Sequence, residues 1–517
     1  MSIYTSNNSR IAKNTILLYF RMILTMLVSL YTSRVVLNTL GVSDFGIYNV
    51  VGGIVAMLGF LNVSMSVTTQ RFITFELGRG NYKRLRIVFN TSLLILAILS
   101  LILVLIAETL GLWFLWHKMQ IPVERMDAAF YVFQGSIVTA VIFIMSVPFN
   151  AIIIAHERMS AFAYISIIEV LLKLAIVYLL LFFPYDKLVL YAFLIVCVQF
   201  VIFLSYRFYC IANFQESRFM LVFCYPYLKK MAGFTGWTFL GNLASVTYTQ
   251  GLNILLNLFF GPMINAARGI AVQVQNAITQ FSINFQMALN PQITKMYATD
   301  DLPSMYKLIE RSSKFTFCLL LLLSFPVILE ADFILKLWLG IVPKYTVLFL
   351  RLILCTAIID AVANPLMVSA AATGKVKLYH SAVGGLLLTI LPISYVVLKN
   401  GGAPESVFIV HLPICVIAFV VRLYILQSLI YLDIKRYLYN VVGKSVLIML
   451  TALPLPVMLK FFLVDNAIFS LMVVCVVCLF AVSISSFYIG LDKYERCFIK
   501  EKLSVLLLKV KGGKKNT

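Results

Sequence analysis

The sequence predicts an all-α polytopic membrane protein with about fourteen transmembrane helices. Three observations predict it: apolar runs of roughly 20 residues recur along the chain, Lys and Arg crowd into alternate loops, and features of the first half return in order in the second. Of 517 residues, 62% are hydrophobic and 12% charged, and the mean hydropathy is +0.97, far from the balance of a soluble protein. No stretch remains that would form a soluble domain.

Hydrophobic length and punctuation by Gly, Pro and charge place the spans at 14–38, 45–69, 87–110, 128–154, 160–182, 187–209, 232–259, 264–289, 314–335, 346–371, 377–398, 405–429, 438–462 and 466–489. The first run is preceded only by Arg10 and Lys13, continues past signal-peptide length and lacks an A-x-A site, so it reads as a retained helix. Short turns without Lys or Arg, NTLGVSDFG and FFGPMIN, follow the first and seventh spans.

Of the 42 Lys and Arg, 29 fall at the N-terminus, in the even-to-odd loops and in the C-terminal tail. The opposite loops hold 7: Lys118, Arg125, Lys187, Lys336, Lys344, Lys399 and Lys460. The positive-inside rule then expects both termini in the cytoplasm. The same rule and anionic lipid headgroups account for the net charge of +21 without nucleic acid.

An offset of 220 sets Thr15 opposite Thr235, Gly41 opposite Gly261, Ile73-Thr74 opposite Ile293-Thr294, and Ser92 opposite Ser312. Larger features correspond too: Trp116 with Trp338, Pro148 with Pro365, Arg207 with Arg422. The expected organisation is two pseudo-symmetric six-helix bundles, 1–210 and 232–430, joined by a cytoplasmic linker at 211–231. Two further helices at 431–490 and a basic tail at 491–517 follow. Six spans per bundle is even, so the repeats enter the membrane in parallel, an arrangement that builds transporters with a central cavity.

Among the nine cysteines the one C-x-x-C spacing, Cys475 and Cys478, lies inside an apolar run, there is no Cys/His cluster, and neither a metal site nor a disulfide framework is indicated. No nucleotide-binding, zinc-hydrolase or nucleophile-elbow motif is present, and no cofactor is implied. The adjacent Asp300-Asp301 precede Pro303 in a loop, where turn and capping chemistry is usual. The longest outer loop, around WHKMQIPVERMD, is too short for the acceptor site of a membrane glycosyltransferase or polymerase.

The informative residues are charges inside spans. Arg or Lys at mid-helix costs about 2.5 to 3.5 kcal/mol on insertion scales and usually faces a bundle interior or a watery cavity. Arg21 and Arg34 lie in the first span and Arg268 in the eighth; Arg34, near the outer end, has the alternative of snorkelling to headgroups. The eighth span adds Gln273, Gln275, Asn276 and Gln280, the seventh Asn242, Gln250, Asn253 and Asn257, and the second Asn49, Asn62 and Gln70. These four helices are the expected cavity wall, against the alternative that their amides only join helices. Glu169 and Lys173 share a face of the fifth span at i, i+4 and either neutralise each other or form a gate. Asp360, mid-span without a cation nearby in sequence, is a candidate for coupling to H⁺ or Na⁺, or for an interior hydrogen bond or Arg pair.

RVVLNTLGVSDFGIYNVVGGIVAML followed by QRFITFELGRGNYKRLR, with the span count, the parallel repeat and the Arg-bearing first and eighth helices, resembles the multidrug/oligosaccharidyl-lipid/polysaccharide exporter superfamily. Within it, the chain is similar to Wzx-type O-antigen or capsule-repeat flippases. The resemblance implies a MATE-like V-shaped transporter in the bacterial cytoplasmic membrane. Its substrate would be an undecaprenyl-diphosphate-linked oligosaccharide, and its partners the polymerase and glycosyltransferases of the same pathway; anionic lipids are the partners that the basic loops and tail imply. By helix position it implies diphosphate recognition by Arg21, Arg34 and Arg268. A cation-coupled multidrug antiporter using Asp360 or Glu169 is the alternative, although the first and seventh spans hold no carboxylate.

Overall fold

The computed structural model describes residues 2–492, apart from 58–59, 118, 120, 181, 183–185, 221–223 and 463–466, together with 496–497. Lys118, most of the expected basic tail, and the side chains of Arg34 and Asn49 lie outside the described residues. Every regular element described is a helix. Helix α1 (Ser2–Met57) breaks at Gly41, whose φ of 80° belongs to the left-handed region that glycine enters without a Cβ penalty. The matching turn between α8 (Tyr225–Phe260) and α9 (Pro262–Ala298) is made by Gly261 at φ 78°. The two glycines paired by the 220-residue offset therefore do the same backbone work.

Between these turns run α2 (Phe60–Gly78), α3 (Tyr82–Ile106), α4 (Leu112–His117), α5 (Met126–Ala155), α6 (Met159–Leu179) and α7 (Lys187–Asn213). Two helix starts in this half carry side-chain caps. The Asn81 side chain accepts from the Arg84 N–H at 3.1 Å, and Asp186 accepts from the Leu188 and Val189 N–H groups at 2.9 and 3.2 Å. After α9 come α10 (Leu302–Leu329), α11 (Ala331–Leu339), α12 (Thr346–Thr373), α13 (Lys377–Leu388), α14 (Ile390–Lys399) and α15 (Ser406–Ile430). The chain continues through α16 (Ile434–Tyr437), α17 (Lys444–Ala452), α18 (Pro454–Phe462) and α19 (Ala467–Ser485).

Among the described residues, ten helical stretches are long and apolar enough to cross a membrane. They coincide with the third to sixth and ninth to fourteenth expected spans. The other four expected spans fall on α1, α2, α8 and α9. Helices α8 and α9, 36 and 37 residues long, have ample length, and it is their Asn and Gln content that lowers their hydropathy. The polar helices are thus those to which the sequence assigns the candidate site.

The chain packs into two compact units that are not consecutive segments: Met1–Val246, Asn284–Met305 and Val368–Gly385 form the first, and Thr247–Ile283, Tyr306–Met367 and Leu386–Thr517 the second. In the first, α5 packs against α7, α2 and α3, and α1 runs along α6. Phe149 sits between Phe89 and Phe203 in edge-to-face contacts at 5.4 and 5.8 Å. In the second, α14 packs on α15 and α19 on α17 and α18. Tyr437 is fully buried there, and its hydroxyl is placed 2.8 Å from Ser313 Oγ and 3.2 Å from the Val362 carbonyl.

Candidate functional site

In the first unit, Arg21 lies on the α1 face that packs on α6. Leu18 and Met22 beside it are buried, while Phe20 and Ile23 are exposed. Nη2 donates to Asn284 Oδ1 at 3.0 Å and Nη1 to Ser166 Oγ at 3.4 Å, and the guanidinium lies over the Phe162 ring at 4.6 Å. Phe162 and Ser166 are one turn apart on α6, which is why they meet the same side chain. Nε is buried without a partner, and among the described residues no carboxylate lies within ion-pair distance of Arg21. Glu169 lies within electrostatic reach of Arg21 but binds Lys173 at 2.6 Å, as the i, i+4 spacing predicts. Two cations and one carboxylate leave this cluster net positive.

Asn242 is engaged by α2: its Nδ2 donates to Ser64 Oγ at 2.9 Å. At the far end of α9, Lys295 and Gln292 converge on Glu157 in the α5–α6 turn, at 2.8 and 3.2 Å. Arg71 of α2 donates from Nε and Nη2 to the carbonyls of Ala371 and Ala372, at 3.2 and 2.8 Å, and so satisfies the C-terminal end of α12. Nothing local in the sequence announces either contact, since the partners lie more than 100 residues away.

In the second unit, Arg268 is 6% exposed. It donates from Nη1 to Asn253 Oδ1 and from Nη2 to the Thr249 carbonyl at 3.1 Å, and Asn253 in turn donates to Gln250 Oε1 at 2.9 Å. Its Nε is also buried without a partner, and among the described residues no carboxylate pairs with it. Gln273 and Asn276 of the same helix are exposed and do not join this bond network. Asp360 on α12 has found the partner Arg: Arg422 Nη1 on α15 stands 3.4 Å from Oδ1, and Cys415 Sγ 3.9 Å from Oδ2. His411, one turn before Cys415, faces Tyr248 at 5.5 Å between ring centres and lies within electrostatic reach of both Asp360 and Arg268. His411 went unread in the sequence, although a histidine in an apolar helix is the available signal. Asn284, the Arg21 partner, carried none.

Outside the spans, His156 Nε2 and Glu216 Oε1 are 2.6 Å apart, and His156 stacks on Phe214 at 4.3 Å. Burial pushes the Glu216 carboxyl up. The hydrogen bond and charge of His156, with a backbone hydrogen bond, outweigh that and hold it below the usual carboxylate range.

The description "MatE" belongs to the family model that matches residues 18–179. Among solved structures, the chain is similar to an outward-facing multidrug resistance MATE family transporter of the MOP superfamily. The identity is 16% and the TM-score 0.68, over 82% of this chain and 96% of that one. It also resembles a MOP superfamily transporter from Pyrococcus furiosus (15%, TM-score 0.68, 82% and 96%) and the bent form of the Vibrio cholerae MATE transporter VcmN (15%, TM-score 0.66, 84% and 99%). No curated protein matches. The fold is therefore that of the MATE transporters, and the expected fold class holds across most of the chain.

Proposed function

We propose that this chain is a flippase that carries a polyprenyl-diphosphate-linked oligosaccharide, an O-antigen, capsule or related repeat unit, to the outer leaflet of the bacterial cytoplasmic membrane. The carrying observation is two arginines, half-buried Arg21 and buried Arg268, each held by neutral amide, hydroxyl or carbonyl oxygens and, among the described residues, by no carboxylate. A diphosphate supplies the missing counter-charge, and planar guanidinium donors suit its oxygens. Arg34 belongs to the same proposal by its helix position. In the similar Pyrococcus furiosus transporter, a reversed polarity of the binding pocket suggests a different function.

A cation-coupled multidrug antiporter is the second reading, favoured by the drug transporters among the similar structures and by Asp360 and Glu169 within the helices. In the flippase reading both termini are cytoplasmic, and Asp360 with its Arg422 partner is the candidate H⁺ or Na⁺ coupling site. Deleting the gene tests the flippase: a diphosphate-linked oligosaccharide should accumulate on the inner leaflet. Unchanged surface glycan without accumulation refutes it. Cationic-dye efflux that survives Arg21→Ala but not Asp360→Asn establishes the antiporter instead.

A further inference from the structure

A pocket of about 500 Å³ opens in the first unit, where the start of α8 meets the turn between α12 and α13. Four lysines line it: Lys229 and Lys230 from α8, Lys375 from the turn and Lys377, the first residue of α13. Among the described residues none of the four is paired with a carboxylate. All four are exposed, and together they give the pocket a positive field that draws an anion. Positive-inside loops explain why lysines lie on this side of the membrane, but not why two segments some 140 residues apart bring theirs to one pocket.

The walls are apolar and aromatic. Phe234 is buried, Trp237 is half-buried with Lys377 Nζ 5.3 Å from its ring centre, and Gly233 leaves open space where a side chain would stand. Trp237 lies five residues, about 7.5 Å, into the expected seventh span, the depth at which indoles favour the headgroup region. Behind the turn, the position of a Cβ on Gly374 is 2.8 Å from Arg71 Nη2, so a fifth cation backs the wall. The volume suits a small organic ligand, and basic pockets between helices on the cytoplasmic side bind anionic headgroups. A free phosphate ion would leave the indole and phenyl walls unused.

We propose that this pocket holds the phosphate-bearing headgroup of an anionic membrane lipid, on the side that the charge distribution assigns to the cytoplasm. The proposal goes beyond the flippase reading and does not rest on it. The test titrates the purified full-length chain with phosphatidylglycerol, a short polyprenyl diphosphate, diacylglycerol and inorganic phosphate, scored by native mass spectrometry. The two phosphate lipids should bind, and Lys229→Gln/Lys230→Gln/Lys375→Gln/Lys377→Gln should weaken them at least tenfold. A control set away from the pocket, equally exposed and with equal charge loss, Lys83→Gln/Arg84→Gln/Lys307→Gln/Lys435→Gln, should change little. Binding to the unaltered chain should also fall several-fold between about 0.05 and 0.5 M salt, a readout that needs no variant. Preference for phosphatidylglycerol assigns the site to bulk lipid, and preference for the polyprenyl diphosphate to an isoprenoid carrier; either supports the headgroup assignment. Diacylglycerol binding as well as the phosphate lipids, inorganic phosphate competing on equal terms, salt-independent binding, or equal losses in the two variant sets would overturn it.

Discussion

Glu157→Gln should destabilise the first unit by about 2 kcal/mol, a magnitude set by the unequal burial of the pair it breaks. The Glu157 side chain is 1% exposed and Lys295 26%, with 2.8 Å between Nζ and Oε1. Breaking a fully buried pair costs about 3 to 5 kcal/mol and an exposed one about 0 to 1, so a pair with one partner in partial contact with solvent falls between. Glutamine keeps an acceptor for Gln292 or Lys295 but removes the charge, so the loss measures the electrostatic part. The consequence is larger than a loop contact suggests, because Glu157 itself has a φ of 58° and its carbonyl accepts from Asn14 Nδ2 at 3.3 Å. A left-handed non-glycine residue costs about 1 to 2 kcal/mol and persists only where its surroundings hold it. Unfolding by SDS titration in mixed micelles, run on Glu157→Gln, Lys295→Gln and the double variant, closes the cycle. A coupling energy of about 1 to 2 kcal/mol is expected. Losses that add to within about 0.3 kcal/mol would show that the two groups do not interact, and the reasoning from burial would fail.

Three further outcomes follow from the same geometry. Arg21→Gln should cut flipping of a diphosphate-linked lipid in proteoliposomes about 10- to 100-fold, the loss of one charge-assisted contact worth about 1.5 to 3 kcal/mol, with Arg21→Lys partly active; wild-type rates in Arg21→Gln would remove this residue from the substrate path. Because Glu216 has its folded pKa below its unfolded one, its stabilisation is complete above the ordinary carboxylate range and is lost as pH falls through the lowered value. Glu216→Gln should therefore flatten the acid limb of a thermal-stability profile, and an unchanged limb would contradict the assignment. Gly374→Ala forces a methyl group to 2.8 Å from Arg71 Nη2 at a backbone φ of +78°, and should cost roughly 1 to 3 kcal/mol in the same SDS assay.

What the sequence disclosed divides by range. Ten of the fourteen spans, the glycine turns at Gly41 and Gly261 and the Glu169–Lys173 pair depend on residues a few positions apart, and the structure places them as read. Partner identity depends on tertiary packing and was not legible. Arg21 meets Asn284 from 263 residues away, and Asp360 meets Arg422 from 62. The physics nonetheless restricts the unknown partner: an acid buried among apolar helices needs a cation or a donor, and Arg422 was already marked as a repeat feature at the end of its span. The amides of α9 show the opposite limit. Gln273, Asn276 and Arg268 share one helix and one signal of polarity, yet Arg268 is buried in a bond network while the two amides are exposed. A polar helix therefore announces a surface that avoids lipid, and only packing decides which of its residues hold the structure and which stay free for a ligand. On that basis the exposed amides, whose side chains are not used to join helices, are better placed than Asn242 to meet a glycan. Replacing Gln273 and Asn276 by Ala should alter glycan selectivity while leaving the unfolding midpoint unchanged, whereas Asn242→Ala, by breaking the bond to Ser64, should lower the midpoint; the reverse pattern would assign the structural role to the wrong helix.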